Sequence, residues 1–408
     1  MILSDVRIRP APDPAWSRVS ALLESESPGR DPVELWVDVP SQLADQVDTT
    51  GTPWLIAALP MAYALGEPLR VRATVDADLL RNVYCLLDVW GAWNPNRDRI
   101  RIEVDNVSHP DPIPTARVGM FFSGGLDSFY TLLRHHHCAP ETRENIEELL
   151  LLWGFDVPPD VDEPFHAITR SAEQVAREVG KTLTVIRTNL RLALPVEASW
   201  THLAHGPVMA GAALVLGKRY KRLLIASSIA YRRLGQWGTH PATDPYYGTS
   251  LTAFLNDGAV DRFQKTPLVA ASDLAMKHLR VCTRPPFEGN CGRCPKCLRT
   301  MISLELLGSL DRCATLPPLD LRKVRRMNLG EGFGNRMYRS MWANARRAGR
   351  EDIAKALATA IRRTTMLWFA RGVVHRLGLS TWKRIGPYLE RIVGVDPELG
   401  PAWPTEAR

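Results

Sequence analysis

No stretch of the 408 residues approaches the roughly 18–20 uninterrupted apolar positions that a membrane helix needs. The opening MILSDVRIRPAPDPAW has no basic segment leading into an apolar one, so no secretory leader is expected. Together these absences predict a cytoplasmic protein with no membrane partner. There is no internal repeat and no low-complexity tract, which argues against a solenoid or a disordered linker protein. Cysteine is scarce, and four of the seven fall between Cys282 and Cys297. A cluster of that kind in a reducing compartment points to a metal site, not a disulfide framework. Cys85 and Cys138 sit in apolar or helical contexts and read as core residues, while Cys313 has no partner nearby in sequence.

Hydrophobic residues make up 45% and charged residues 23%, enough apolar side chain for a sizeable core. The length suggests two or three domains. Charge is uneven: from residue 321 onward 18 Lys+Arg face 7 Asp+Glu, a local +11. Against +7 for the whole chain, this leaves −4 for the first 320 residues. A basic C-terminal part fits either a solvated arginine-rich helical face or a nucleic-acid contact.

Residues 1–115 read as an N-terminal α+β domain. ELWVDVP, PLRVRATVD and RDRIRIEVD have strand patterns, while PWLIAALPMAYALG and DADLLRNVYCLLDVWGAW have helical ones. The first of these helices is expected to break at Pro60, and NVSHPDPIPTA (106–116) to be a linker. Residues 116–315 then alternate strand and helix through RVGMFF, ELLLLWGF, TLTVIRTN and KRLLIASS. That alternation predicts a doubly wound α/β domain with a parallel sheet. Residues 316–408 read as a basic helical region, with LGEGFG (329–334) as a turn ahead of its main helices.

The sharpest motif is FFSGGLDSFYTLL, 121–133. A strand runs into Ser123, Gly124, Gly125, Leu126, Asp127 and Ser128, and a helix follows. Glycines let backbone N–H groups approach an anion, and the helix N-terminus adds partial positive charge, so phosphate is the natural guest. The Ser123 and Ser128 hydroxyls are placed to donate to phosphate oxygens. Asp127 would repel phosphate unless it helps to hold a magnesium ion. The Walker ending with its lysine is missing. The plainer reading is a Gly-Gly turn with Asp-Ser capping the next helix. The string resembles the SGGxDS loop of the PP-loop ATP pyrophosphatases. That resemblance implies cleavage of ATP between the α- and β-phosphates, transfer of AMP to an acceptor oxygen, and Ser123, Asp127 and Ser128 as catalytic residues.

Cys282, Cys291, Cys294 and Cys297 follow C-x8-C-x2-C-x2-C spacing. Two overlapping C-x2-C turns direct three thiolates to one point and the longer loop returns the fourth. Four thiolates suit tetrahedral zinc in a closed, structural site, expected to tie down the edge of the α/β domain. Thiolate number alone leaves an iron–sulfur cluster open.

SGGxDS and this cysteine spacing together resemble the 7-cyano-7-deazaguanine synthases of queuosine-type biosynthesis, over about residues 117–305. LWGFDV resembles the family's strand ending in Phe-Asp, and FQKTPL its Phe-x-x-Pro-Leu turn. The resemblance implies that Phe155 and Asp156 line the ATP site. It also implies that a 7-deazaguanine carboxylic acid is adenylated, converted to the amide with ammonia and activated again to the nitrile, or attached to an amine. Its Pro-Gly-Arg-Asn stretch appears here only as His205-Gly206-Pro207-Val208, and its Asp-Lys as Ser272-Asp273. Long relatives with an extra N-terminal domain occur in bacterial antiphage-defence and modification gene clusters, which implies a partner protein's amine as another acceptor. The sequence leaves the oligomeric state open, a homodimer among the assemblies it allows.

YRRLGQWGTHPATDPYYGTS (231–250) follows the fourth strand of the α/β pattern, where open sheets place ligands. Arg232 and Arg233 are candidates to neutralise an acceptor carboxylate or the α-phosphate. Trp237, Tyr246 and Tyr247 are candidates to stack on a planar base, and His240 and Asp244 to orient the nucleophile or move a proton. A well-packed surface loop is the competing reading for each. His135, His136 and His137 end a helix, where consecutive side chains diverge, so solvated capping is expected rather than metal binding. Two further readings stay open: RNA as the acceptor, and a non-catalytic nucleotide-binding subunit.

Overall fold

A computed structural model describes residues 1–114, 116–136, 141–231, 235–285, 287, 289–329 and 333–376. The chain forms two compact units, Met1–Arg262 and a second beginning at Phe263.

The first unit opens with an antiparallel meander of β1 (Ile2–Pro10), β2 (Trp16–Glu24) and β3 (Val33–Pro40). Alternate residues face inward, with Val19, Ala21 and Leu23 on β2 and Leu35, Val37 and Val39 on β3 buried. The sequence reading passed over β1 and β2. Helix α1 (Thr52–Leu65) is buried from Thr52 to Ala64, consistent with its apolar residues on every face. It runs through Pro60 without the expected break. A helix enclosed on all sides gains enough from packing to absorb one missing backbone donor. It stops at Gly66, whose φ of +70° suits glycine at a helix C-terminus. Strand β4 (Leu69–Asp76) leads to α2 (Ala77–Trp93), capped by Asp76 accepting from the Leu79 amide at 2.9 Å. Strand β5 (Ile102–Ser108) follows, so the stretch expected as a linker begins inside a strand.

The remainder of this unit is β6 (Arg117–Phe121), α3 (Leu126–His136), β7 (Glu148–Trp153), α4 (Asp162–Glu178) and β8 (Thr182–Thr188). Then come α5 (His205–Leu214), β9 (Tyr220–Ile225) and β10 (Ala253–Asn256). These five strands are mutually parallel in the order β10-β9-β6-β7-β8, which winds outward in both directions from β6. The sheet does not end there. Strand β8 pairs antiparallel with β3, and the complete order is β10-β9-β6-β7-β8-β3-β2-β1-β4-β5. Segments 1–115 and 116–262 therefore share one ten-stranded mixed sheet, a Rossmann-like α/β architecture. Asp38, fully buried at that seam, accepts from Arg18 at 2.6 Å and from Arg187 at 2.7 Å. Gly211 on α5 lets that helix close on α1: a Cβ there would stand 2.7 Å from the Ala57 Cβ and the Pro53 carbonyl.

At the amino ends of the parallel strands, buried Glu148 accepts from Arg219 at 2.8 Å and from the Tyr220 hydroxyl at 2.7 Å. Burial alone would raise its proton affinity, but hydrogen bonds from Arg219, Thr184 and Tyr220 hold the carboxyl below its ordinary value.

The second unit is helical. Helix α6 (Arg262–Ala270) starts on the last residue of the first unit, and α7 (Asp273–His278), α8 (Pro295–Glu305), α9 (Leu321–Arg326), α10 (Phe333–Arg347) and α11 (Glu351–Arg376) follow. Ile353, Ala356, Leu357 and Ala360 of α11 are buried at helical spacing, toward α9 and α10. Of the turn expected at 329–334, residues 330–332 lie outside the described residues, and Phe333 and Gly334 already belong to α10. Among the described residues no helix is long and apolar enough to cross a membrane.

Candidate functional site

The loop from β6 to α3 lies where the order of parallel strands reverses direction, between β6 and its neighbour β9. Open α/β sheets bind ligands at this switch point, outside the carboxyl ends of the strands. The first glycine of the loop, Gly124, has φ of +72°, a left-handed conformation that admits a glycine without strain. Ser123 Oγ accepts from the Gly125 amide at 3.3 Å, Ser128 Oγ donates to the Gly125 carbonyl at 3.0 Å, and the two hydroxyls are 3.4 Å apart. Both serines thus shape the loop itself. Leu126 opens the helix and is buried.

Asp127 lies in the first turn of α3, where a carboxylate is favoured by the unpaired backbone amides. Its side chain is mostly buried. Its Oδ2 pairs with the Arg262 guanidinium and accepts from Ser228 Oγ at 3.3 Å. Further along α3, Thr131 donates to Asp257 at 2.8 Å and Arg134 pairs with the same carboxylate, which follows β10. Arg262, Ser228 and Asp257 were missed in the sequence. Their roles depend on which strands are neighbours, and the four-residue β10 was too short to be read.

Phe155 and Asp156 follow β7. Gly154 before them has φ of +112°, and a Cβ there would stand 1.9 Å from the Thr188 carbonyl. This close approach ties the exits of β7 and β8 together. The Phe155 carbonyl accepts from Arg191 Nη1 at 2.5 Å, and the Arg191 guanidinium lies 4.2 Å over the Trp200 ring. Trp200 in turn meets Phe155 edge to face at 5.2 Å. Burial pushes the Arg191 proton affinity down to about 10, and the charge of Asp156 works against that fall. This cation-and-aromatic nest was not foreseen either.

The 231–250 segment divides. Arg232 and Arg233 lie outside the described residues. Trp237 is half-buried, with its ring 5.6 Å from His202. His240 is buried against Trp93 at 4.9 Å, and its Nδ1 accepts from the Ala242 amide at 2.9 Å. Burial lowers its proton affinity. Asp244 is fully buried and accepts from the His240 amide at 2.8 Å, Asn256 at 2.6 Å and Thr243 Oγ1 at 3.3 Å. Burial pushes its carboxyl up to about 7 against those hydrogen bonds. The Tyr247 hydroxyl donates to the Gly238 carbonyl at 3.2 Å, with its ring packed against Phe254. Asp244 and Tyr247 therefore brace the loop from inside, and Tyr246 packs at the edge of the core. The amino-terminal segment holds the loop from outside: Asp76 accepts from the Ser250 amide at 3.0 Å, and Asn82 donates to the Gly248 carbonyl at 3.0 Å.

His135 does not cap in solvent: its Nδ1 accepts from the Glu144 amide at 3.0 Å. His136 is exposed, and His137 lies outside the described residues.

In the second unit, the Sγ atoms of Cys282, Cys291, Cys294 and Cys297 all lie within 4.8 Å of one another. Cys282 to Cys294 and Cys291 to Cys297 are each 3.8 Å. A tetrahedron with metal–sulfur bonds near 2.3 Å has edges of about 3.8 Å, so the donor set fits a metal such as zinc. The same spacing is far beyond the roughly 2.05 Å of a disulfide. Cys294 caps α8, its Sγ accepting from the Cys297 amide at 3.4 Å, and Cys291 Sγ accepts from the Cys294 amide at 3.2 Å. Contacts with Cys282, Cys294 and Cys297 hold the Cys291 thiol far below its ordinary value. Asn290 fixes the returning loop, accepting from the Val281 amide at 2.8 Å and donating to the Leu279 carbonyl at 2.8 Å. The cluster is thus a buried four-thiol site capable of coordinating a metal ion.

No protein-family model, curated protein or solved structure matches the chain.

Proposed function

We propose that the chain is an ATP-dependent adenylating enzyme of the PP-loop ATP pyrophosphatase type, acting on a carboxylic acid of the 7-deazaguanine class. The observation that carries this reading is the glycine loop at the switch point of the parallel strands, with Asp127 in the first turn of the helix behind it. On this reading the acceptor carboxylate attacks the α-phosphorus in line, the bond to the bridging oxygen of pyrophosphate breaks, and an acyl-adenylate forms. Ammonia or an amine then displaces AMP to give an amide. The backbone amides of Gly124 and Gly125 and the hydroxyls of Ser123 and Ser128 receive the departing pyrophosphate. Asp127 would hold magnesium, which supplies charge neutralisation on the phosphates. The Phe155–Asp156 turn, fixed by Gly154 and Arg191, borders the nucleotide. The four cysteines would hold zinc as a structural ion, since four protein ligands leave no open coordination position.

Product analysis tests this reading. AMP and pyrophosphate should appear in equal amounts from ATP, magnesium and acceptor. ADP and phosphate as products would contradict it.

RNA as the acceptor is a second reading, favoured by a specific arrangement in the second unit. Arg363 of α11 donates to the Arg325 carbonyl of α9 at 3.3 Å, which brings Arg325, Arg326, Arg362 and Arg363 to adjoining helices. Retention of tRNA that falls steeply with added salt would support it.

A further inference from the structure

Arg262 is an unusual partner for a loop that is to receive phosphates. Its guanidinium lies on Asp127, within the first turn after Gly124 and Gly125, and the two side chains are 21% and 12% exposed. In this arrangement the carboxylate is neutralised, and Ser228 supplies a further hydrogen bond to the same oxygen at 3.3 Å. The ion pair and an incoming metal compete for one carboxylate. A cation with six or so oxygen ligands would take that oxygen and leave the guanidinium facing the loop. An arginine fork matches two phosphate oxygens with parallel hydrogen bonds, so the displaced group has a complementary anion beside it. The rest of α3 need not move, because Thr131 and Arg134 anchor its later turns to Asp257.

We propose that Arg262 is a phosphate-binding residue of the glycine-loop site, held on Asp127 until magnesium takes that carboxylate and then transferred to the terminal phosphates of the nucleotide. The proposal rests on the ATP reading of the loop and extends it by naming the cation that meets the leaving pyrophosphate. It also makes the ligand-free site self-neutralising, so that Asp127 guards the loop against stray anions when no metal is present.

Calorimetric titration of the full chain with inorganic pyrophosphate tests the exchange directly, with and without magnesium. With magnesium, Arg262→Gln should weaken binding by about 10- to 100-fold, and Arg262→Lys by less, since it keeps the charge but not the fork. The lysine variant also separates loss of the phosphate contact from loss of the fold. Without magnesium, Asp127→Asn should bind pyrophosphate more tightly than the unaltered chain, because the guanidinium is released. The double variant Asp127→Asn/Arg262→Gln should lose that gain. Arg262→Gln binding as tightly as the unaltered chain, or no gain in Asp127→Asn, overturns the exchange while leaving the ATP reading in place. Failure of the unaltered chain to bind either magnesium pyrophosphate or magnesium ATP overturns the ATP reading and the exchange with it.

Discussion

The sulfurs of Cys282 and Cys294 stand 3.8 Å apart although they are twelve positions apart in the chain. Cys291 and Cys297 stand at the same distance, and all four sulfurs lie within 4.8 Å of one another, a donor set that fits a tetrahedral metal site. Cys294→Ser is expected to cut bound zinc from one ion per chain to near none and to lower the melting temperature. Elemental analysis and a thermal scan check both. A variant that keeps its stability without metal would remove the structural assignment. Cobalt substitution adds a test against an iron–sulfur cluster, since tetrahedral tetrathiolate cobalt has its own visible spectrum.

Asp127 is expected to be needed for chemistry rather than for folding. Asp127→Asn keeps the shape and the hydrogen-bonding reach of the side chain but removes the charge that would hold magnesium. Pyrophosphate release should fall at least about a hundredfold with the circular dichroism spectrum unchanged. Unaltered release would show that the loop does not work through this carboxylate.

Gly154 carries a sharper structural expectation. At φ of +112°, with the Thr188 carbonyl 1.9 Å from where a Cβ would sit, alanine can be accommodated only by moving one strand exit. Gly154→Ala should therefore destabilise the first unit by about 3 kcal/mol or more, read as a shift in the denaturant midpoint. A neutral substitution would mean that the exits of β7 and β8 are not held together there.

The buried carboxyl of Asp244 gives a pH dependence whose sign follows from its raised proton affinity. Its ordinary value is 3.8, and burial pushes it to about 7 in the folded chain. Between those values the native state binds the proton more tightly than the unfolded state. The contribution to stability is thus fully present below about pH 4 and is lost as pH rises toward 7. Subtracting the stability of Asp244→Asn from that of the unaltered chain isolates this residue. The difference should fall by a few kcal/mol from pH 4 to pH 7.5, and a flat difference would contradict the assignment.

Local chemistry made part of this molecule legible in the sequence. A glycine pair between an apolar strand and a helix has few structural uses, and four cysteines spaced for two tight turns have fewer. The structure places Gly124 in the left-handed region and brings the four sulfurs together. Asp244 and Tyr247 show where such reading stops. Polar and aromatic residues in a loop after a strand look alike whether they face a ligand or fill the loop's own interior. Only the hydrogen bonds from His240, Thr243 and Asn256 reveal that this carboxylate points inward. Arg262 was out of reach for a different reason: its pairing with Asp127 spans 135 residues and joins a helix that follows β10 to the helix that follows β6, two strands apart in the sheet. The join between β3 and β8 is of the same kind. It follows from strand adjacency, and no feature of either strand taken alone announces it.

In the proposed reaction ATP is split at the α-phosphorus to activate a 7-deazaguanine-type acid. The most direct measurement is pyrophosphate and AMP release by zinc-replete protein with magnesium ATP, in the presence and absence of 7-carboxy-7-deazaguanine. Release that depends on the acid, and that Asp127→Asn abolishes, is the expected result. Release that the acid leaves unchanged, or none at all with ATP bound, would contradict the acceptor assignment and turn the search to protein or RNA acceptors.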